Sequence, residues 1–219
     1  LTIIKIKRGR IILKKKFTAF AVNGGIGFGA KLTPKQLVVL GNYLDEDQEI
    51  ELTTFQQLII KVEEEKAAEA EVQLKRAGFS VYKVGPYVKS LRTCNFCKGE
   101  EREGMPVAKE LNARIAGQPV PFTLRASYTG CSNACGEPLI NDIGVIKRKD
   151  TYDLYVGGKA TGEDARTGRL LKDGLKPNEL YDLVDEVLGV YRENGRKRER
   201  IAKFVDRFGF DNLKREVGL

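Results

Sequence analysis

The 219-residue chain is 42% apolar and 31% charged, enough for one medium or two small domains with a proper core. It contains no histidine and no tryptophan, which excludes Ser-His-Asp and Cys-His catalysis and any His-ligated haem or zinc. The net charge of +8 favours anionic partners such as nucleic acid, acidic protein, membrane headgroups or an anionic cofactor.

Leu1 to Lys16 holds seven Lys or Arg and no acid, with apolar positions at Ile4, Ile6, Ile11, Ile12 and Leu13. This pattern predicts two strands around the turn Arg8-Gly9-Arg10, with a solvated basic face. The β patterning and lack of interleaved aromatics argue against a nucleic-acid arm. The start also lacks an unbroken apolar core and a small-residue cleavage site, so it does not read as a signal peptide. No stretch approaches the ~20 apolar residues of a membrane span. The expected compartment is therefore reducing and cytoplasmic, where cysteines serve as ligands or thiols rather than disulfides.

Phe17 to Val22 predicts a further strand, running into the glycine-rich Asn23 to Gly29. That segment has neither the Gly-Lys-Ser/Thr ending of a phosphate loop nor GxGxxG spacing, and reads as a loop or strand exit. Thr33 and Pro34 open a helix to about Leu44, Thr33 capping the free amides. Ile50 to Thr54 and Leu58 to Ile60 are strand-like. Glu63 to Ala77, rich in Ala, Glu and Lys, is a helix closed by Gly78. Residues 1–85 thus read as a small β–α–β–α unit with a final strand.

Beyond Gly85 the spacing predicts a helix from Pro106 to Ala116, and strands at Pro121 to Tyr128, Ile143 to Arg148 and Tyr152 to Val156. Gly157-Gly158 is a turn. A helix starts at Lys176-Pro177-Asn178-Glu179 and carries Leu180, Leu183, Val184, Val187, Leu188 and Tyr191 on one face. A basic stretch from Arg192 to Arg200 reads as a solvated face or a docking surface for an acidic donor. A last amphipathic helix holds Ile201, Phe204, Val205 and Phe208. Tyr152, Tyr155 and Tyr191 read as packing residues.

The four cysteines form two close pairs, Cys94-x2-Cys97 and Cys131-x3-Cys135, with 33 residues between the pairs. Four thiolates so spaced suit one tetrahedral metal site. Zinc ribbons prefer CxxC twice, whereas the x3 pair suits a [4Fe–4S] cluster; redox thiols and plain core cysteines are further readings. A glycine before a ligating cysteine, here Gly130, lets backbone turn closely around a cluster. Asn133, between two candidate ligands, can donate to sulfur or to a second cofactor.

From Val84 onward the chain resembles the catalytic half-domain of siroheme-dependent nitrite and sulfite reductases. The residues that carry the likeness are Leu124-Arg125-Ala126-Ser127-Tyr128-Thr129-Gly130-Cys131-Ser132-Asn133-Ala134-Cys135, Asn141-Asp142-Ile143-Gly144, Leu154-Tyr155-Val156-Gly157-Gly158 and Arg198-Glu199-Arg200. Residues 28–83 resemble the ferredoxin-like half that precedes it, through Lys31-Leu32-Thr33-x-x-Gln36-Leu37 and Glu51-Leu52-Thr53-Thr54. The length is similar to that of the small single-repeat members. The resemblance implies an α+β fold with a ferredoxin-like half at 1–85 and a reductase-like α/β half at 86–219. It implies a [4Fe–4S] cluster on Cys94, Cys97, Cys131 and Cys135, with Cys135 bridging to siroheme. Thr53, Thr54, Gln56, Arg92 and Asn133 are then candidate cofactor contacts, and Arg125 the candidate catalytic cation. The implied reaction is six-electron reduction of sulfite to sulfide or nitrite to ammonia. The implied partners are a small oxyanion, an electron donor such as a ferredoxin or reductase subunit, and a second copy of the chain imitating the doubled enzymes.

The chain departs from the family pattern at several positions. Its first cysteine pair is spaced by two residues rather than five. Phe55 and Thr123 stand where basic anion-binding residues are expected, and no arginine lies at Ala21 to Asn23. Each missing charged contact to a bound anion would cost about 1.5–3 kcal/mol. These departures define an alternative: an iron–sulfur electron-transfer or siroheme-binding protein of the same fold without reductase activity. A zinc-dependent nucleic-acid-binding protein is a third reading, under which the GCxxxC, DIG and YVGG series has no purpose.

Overall fold

A computed structural model of the chain describes residues 5–7, 10–12, 15–26, 31–45, 47–94, 97 and 104–219. The chain divides into two compact units, one within residues 1–24 and 32–81, the other within 25–31 and 82–219.

In the first unit, β1 (Lys5–Lys7) and β2 (Arg10–Ile12) are the two expected strands and pair antiparallel with Ile6 opposite Ile11; Arg10, expected in the turn, pairs with Lys7 as part of β2. Arg8 and Gly9 of the expected turn lie outside the described residues. A four-stranded sheet follows, in the order β4 (Glu51–Leu52), β5 (Leu58–Glu63), β3 (Phe17–Asn23), β6 (Ser80–Lys83). Most of the glycine-rich segment after β3, from residue 27, is outside the described residues.

Helix α1 (Pro34–Gly41) opens with the expected cap. The Thr33 hydroxyl accepts from Gln36 N at 3.2 Å, and Gln36 Oε1 accepts from Thr33 N at 2.8 Å. Gln36 Nε2 then donates to the Gly78 carbonyl, tying α1 to the end of α2 (Ala67–Arg76). Two helix limits differ from expectation: α1 stops at Gly41 rather than Leu44, and α2 starts at Ala67. Glu63 belongs to β5, because the strand pairing extends to Phe17 opposite Glu63; Glu64–Lys66 form a 3-10 turn. Gly78 closes α2 with φ +88°. Phe20, Val22, Leu40, Ile60, Val62, Ala70, Leu74 and Phe79 form the core of this unit.

The second unit is a five-stranded mixed sheet in the order β11 (Arg169–Leu175), β10 (Thr151–Val156), β9 (Ile143–Arg148), β8 (Ala126–Thr129), β7 (Arg92–Thr93). β7, β8 and β9 run parallel, while β9, β10 and β11 are antiparallel. The strand expected from Pro121 begins only at Ala126, since Pro121 to Arg125 makes a single bridge, Leu124 to Val88. β11 has no counterpart in the sequence reading: Arg169, Leu170, Lys172, Asp173 and Gly174 are exposed and only Leu171 and Leu175 are buried, leaving no period-two apolar pattern at this sheet edge.

Helices α3 (Met105–Ile115), α4 (Pro177–Asn194), α5 (Ile201–Phe208) and α6 (Phe210–Glu216) supply the rest of the core. All six apolar positions expected on α4 are buried, each contributing roughly 1.5–3 kcal/mol of burial. Tyr191 and Phe204 pack at 5.2 Å between ring centres. The last helix in the chain is α6, separated from α5 by Gly209 at φ +93°. Tyr152 and Tyr191 are buried as expected of packing residues, and Tyr155 is half-buried.

Candidate functional site

The cysteine region is organised by β7 and β8. These strands run parallel and end together, Arg92 opposite Ser127 and Thr93 opposite Tyr128, so Cys94 emerges beside Gly130-Cys131. Cys94 N donates to the Tyr128 carbonyl at 3.3 Å, and Gly130 N donates to Cys94 Sγ at 3.3 Å. Cys94 and Cys131 are half-buried, whereas Cys97 and Cys135 are exposed.

The loop after Cys131 is tightly built. Ala134 and Glu137 adopt left-handed conformations, φ 55° and 57°. A side chain at Gly136 would strike the Tyr128 carbonyl, and one at Gly144 would strike the Pro138 carbonyl. Only glycine allows the loop to lie this close to both strands. Asn141 Nδ2 donates to the Glu137 carbonyl at 2.8 Å and to Ser127 Oγ at 3.4 Å, fastening the return of the loop.

Asp142 is completely buried at the entry to β9. Its carboxylate accepts from Arg200 Nε at 2.9 Å and from Arg125 N at 2.8 Å. Burial pushes its carboxyl above the usual carboxylate range, and the Arg200 guanidinium and the Arg125 N–H oppose that shift. Arg200, expected within a solvated basic stretch, is instead 17% exposed and fixed to Asp142. Its neighbour Glu199 is held down to about 2, chiefly by the Arg207 guanidinium. Both Asp142 and Arg200 sit in the stretches that carry the resemblance, but nothing local in the sequence pairs residues 58 apart.

The remaining candidates divide sharply. Arg92 pairs with Glu137 at 2.7 Å, linking β7 to the Cys131–Cys135 loop. Asn133 is exposed between Cys131 and Cys135. Arg125 is half-buried, its backbone committed to Asp142. In the first unit, Thr53 organises its own turn: Oγ1 accepts from Phe55 N and Gln57 N at 3.3 and 3.2 Å. Its hydroxyl hydrogen alone is left for a ligand. Gln56 adopts φ 58° in that turn, Thr54 is exposed, and Phe55 is buried, 3% exposed, in place of the expected arginine.

No group of three or more metal-ligating side chains is assembled among the described residues. The donor chemistry nonetheless fits an iron–sulfur group: thiols only, a backbone N–H already on one sulfur, and glycines that bring the two cysteine segments together.

Residues 87–219 match the model of the nitrite and sulphite reductase 4Fe-4S domain. The chain belongs to this family. It is 31% identical over 195 residues to the cobalt-factor III methyltransferase of Priestia megaterium, covering 87% of this chain and 36% of that protein. It is 27% identical over 131 residues to the assimilatory-type sulfite reductase of Nitratidesulfovibrio vulgaris, covering 60% of each. The chain therefore spans between about a third and three-fifths of these curated relatives. In fold, it is similar to dissimilatory sulfite reductase I (TM-score 0.71, 12% identity, 92% of this chain and 69% of that one). It is likewise similar to the NirA protein of Mycobacterium tuberculosis (TM-score 0.71, 18% identity, 94% and 40%). The α+β fold expected for this nitrite and sulphite reductase family member is the one observed.

Proposed function

We propose that this member of the family is an iron–sulfur redox protein in which Cys94, Cys97, Cys131 and Cys135 hold one [4Fe–4S] cluster next to a carboxylate-rich tetrapyrrole of siroheme type, shared through Cys135. The observation that supports it most is the Gly130 N–H on Cys94 Sγ at 3.3 Å, which ties Cys94 to the residue before Cys131. When bound, the cluster supplies one-electron transfer to the tetrapyrrole metal. The chain's own part is to hold four thiolates and to stiffen the loop through Arg92–Glu137 and Asp142–Arg200. We also propose the division into a ferredoxin-like half at 1–85 and a reductase-like half at 86–219, and a cytoplasmic location.

Two terminal activities follow from this core reading. Reduction of sulfite or nitrite, with Arg125 as the cation on the oxyanion, is supported by the relatives named as reductases. Electron transfer to a tetrapyrrole without oxyanion reduction is supported by the buried Phe55, the engaged Arg92 and Arg200, and the likeness to a cobalt-factor methyltransferase along most of the chain. The geometry favours the second, because an anion site needs cations not already neutralised.

Anaerobic purification followed by iron, sulfide and zinc counts and a visible spectrum tests the core reading. About four iron and four sulfide per cluster are expected; one zinc and no iron overturns it. Viologen-driven turnover of sulfite or nitrite by siroheme-loaded protein selects the first activity, and its absence selects the second.

A further inference from the structure

Thr129, the last residue of β8, is completely buried. Its Oγ1 has no hydrogen-bond partner among the described residues. A buried hydroxyl without a partner is costly, and native proteins retain few of them. The neighbouring strand positions fix the face on which this hydroxyl lies. Tyr128 sends its ring into the helix-covered core, 6.2 Å from Tyr152 between ring centres. Strand alternation then places Thr129 on the opposite face with Ser127. Ser127 has its partner there, the Asn141 amide, while Thr129 does not. Valine, equal in shape and strand-favouring, would fill the position without the polar penalty.

What distinguishes position 129 is its place in the cysteine region. The two backbone links to Cys94 flank it: the Tyr128 carbonyl accepts from Cys94 N, and Gly130 N donates to Cys94 Sγ. Thr129 is thus the one residue between both points at which β8 grips Cys94. The group missing from its hydroxyl is an acceptor of the kind that a loaded cysteine site provides.

We infer that the Thr129 hydroxyl donates a hydrogen bond to a sulfur of the iron–sulfur group held at Cys94, either the thiolate or an inorganic sulfide on the same iron. This rests on the iron–sulfur reading and adds a residue to it. A hydrogen bond to sulfur stabilises the more negative, reduced state, so this donor raises the reduction potential.

The test compares the parent chain with Thr129→Val and Thr129→Ser, each loaded anaerobically and titrated with EPR or visible detection. Thr129→Val is expected to shift the midpoint to more negative potential, with Thr129→Ser returning close to the parent. A midpoint in Thr129→Val equal to the parent's overturns the inference while leaving the iron–sulfur reading intact. A parent chain that takes up no iron overturns both. The iron-free proteins give an independent readout. Thr129→Val is expected to melt above the parent, since an unsatisfied hydroxyl has been removed. A lower melting point means that the hydroxyl has a protein partner, and overturns the inference even where the variant loads no iron.

Discussion

The turn at Thr53–Gln57 and the meeting of Cys94 with the Cys131–Cys135 loop handle their polar groups in opposite ways. In the turn, Thr53 Oγ1 takes two main-chain N–H groups and Thr53 N reaches the Gln57 carbonyl, with Phe55 buried beneath. Its hydrogen bonds close upon themselves. At the cysteines, a sulfur takes an amide, two thiols face outward, and a buried hydroxyl is left over. The first turns the Thr53 hydroxyl onto its own backbone; the second, under the proposed function, holds its polar groups for a bound group. Side chains assigned to one function by resemblance thus differ in how far the fold leaves them available.

The largest test of that contrast is to remove a sulfur. Cys131→Ser is expected to abolish iron and sulfide incorporation almost entirely, read by metal analysis and loss of visible absorption, whereas Thr53→Ala retains the full iron content. Equal loss in both variants would erase the contrast. Next in size is Arg200→Ala, which leaves Asp142 buried without its cation. A stability loss of about 3–5 kcal/mol by urea denaturation is expected. Arg92→Ala, whose partner Glu137 is 46% exposed, is expected to cost about 1 kcal/mol or less in the same assay.

Thr53→Ala removes the acceptor of two main-chain bonds and is expected to destabilise by about 1–2 kcal/mol with no change in metal content. The smallest effect is a pH dependence. The Glu199 carboxyl is held at about 2 in the folded chain against roughly 4.3 in an unfolded one. A lowered folded value means that its stabilising contribution is present above pH ~4.3 and fades as pH falls toward ~2. Melting temperatures between pH 5 and 3 are expected to fall more steeply in the parent than in Glu199→Gln.

How much of this was legible in the sequence follows the range of the interactions. Capping at Thr33, the α4 stripe and the β1–β2 strand pair depend on neighbours within a few residues, and each lies where the pattern puts it. β11 was hidden because an exposed edge strand needs no apolar period. The shortening of the 121–128 strand depends on where β7 and Val88 lie, which local propensity does not encode. At the site, the GCxxxC, DIG and YVGG stretches were readable as membership of the family. The engagement of Arg92 by Glu137 and of Arg200 by Asp142 was not, since a charge in a sequence carries no mark of its partner. The same holds for Phe55: its identity removed a cation, but only burial reveals that it replaces one with core.

The Asp142–Arg200 bond also orders events during synthesis. Asp142 leaves the ribosome 58 residues ahead of its partner, a delay of roughly 3–12 s at about 5–20 residues per second. Through that interval a carboxylate destined for full burial has no guanidinium to accompany it. The strand behind the second cysteine pair is therefore expected to settle into its final, paired position only after residue 200 has been translated.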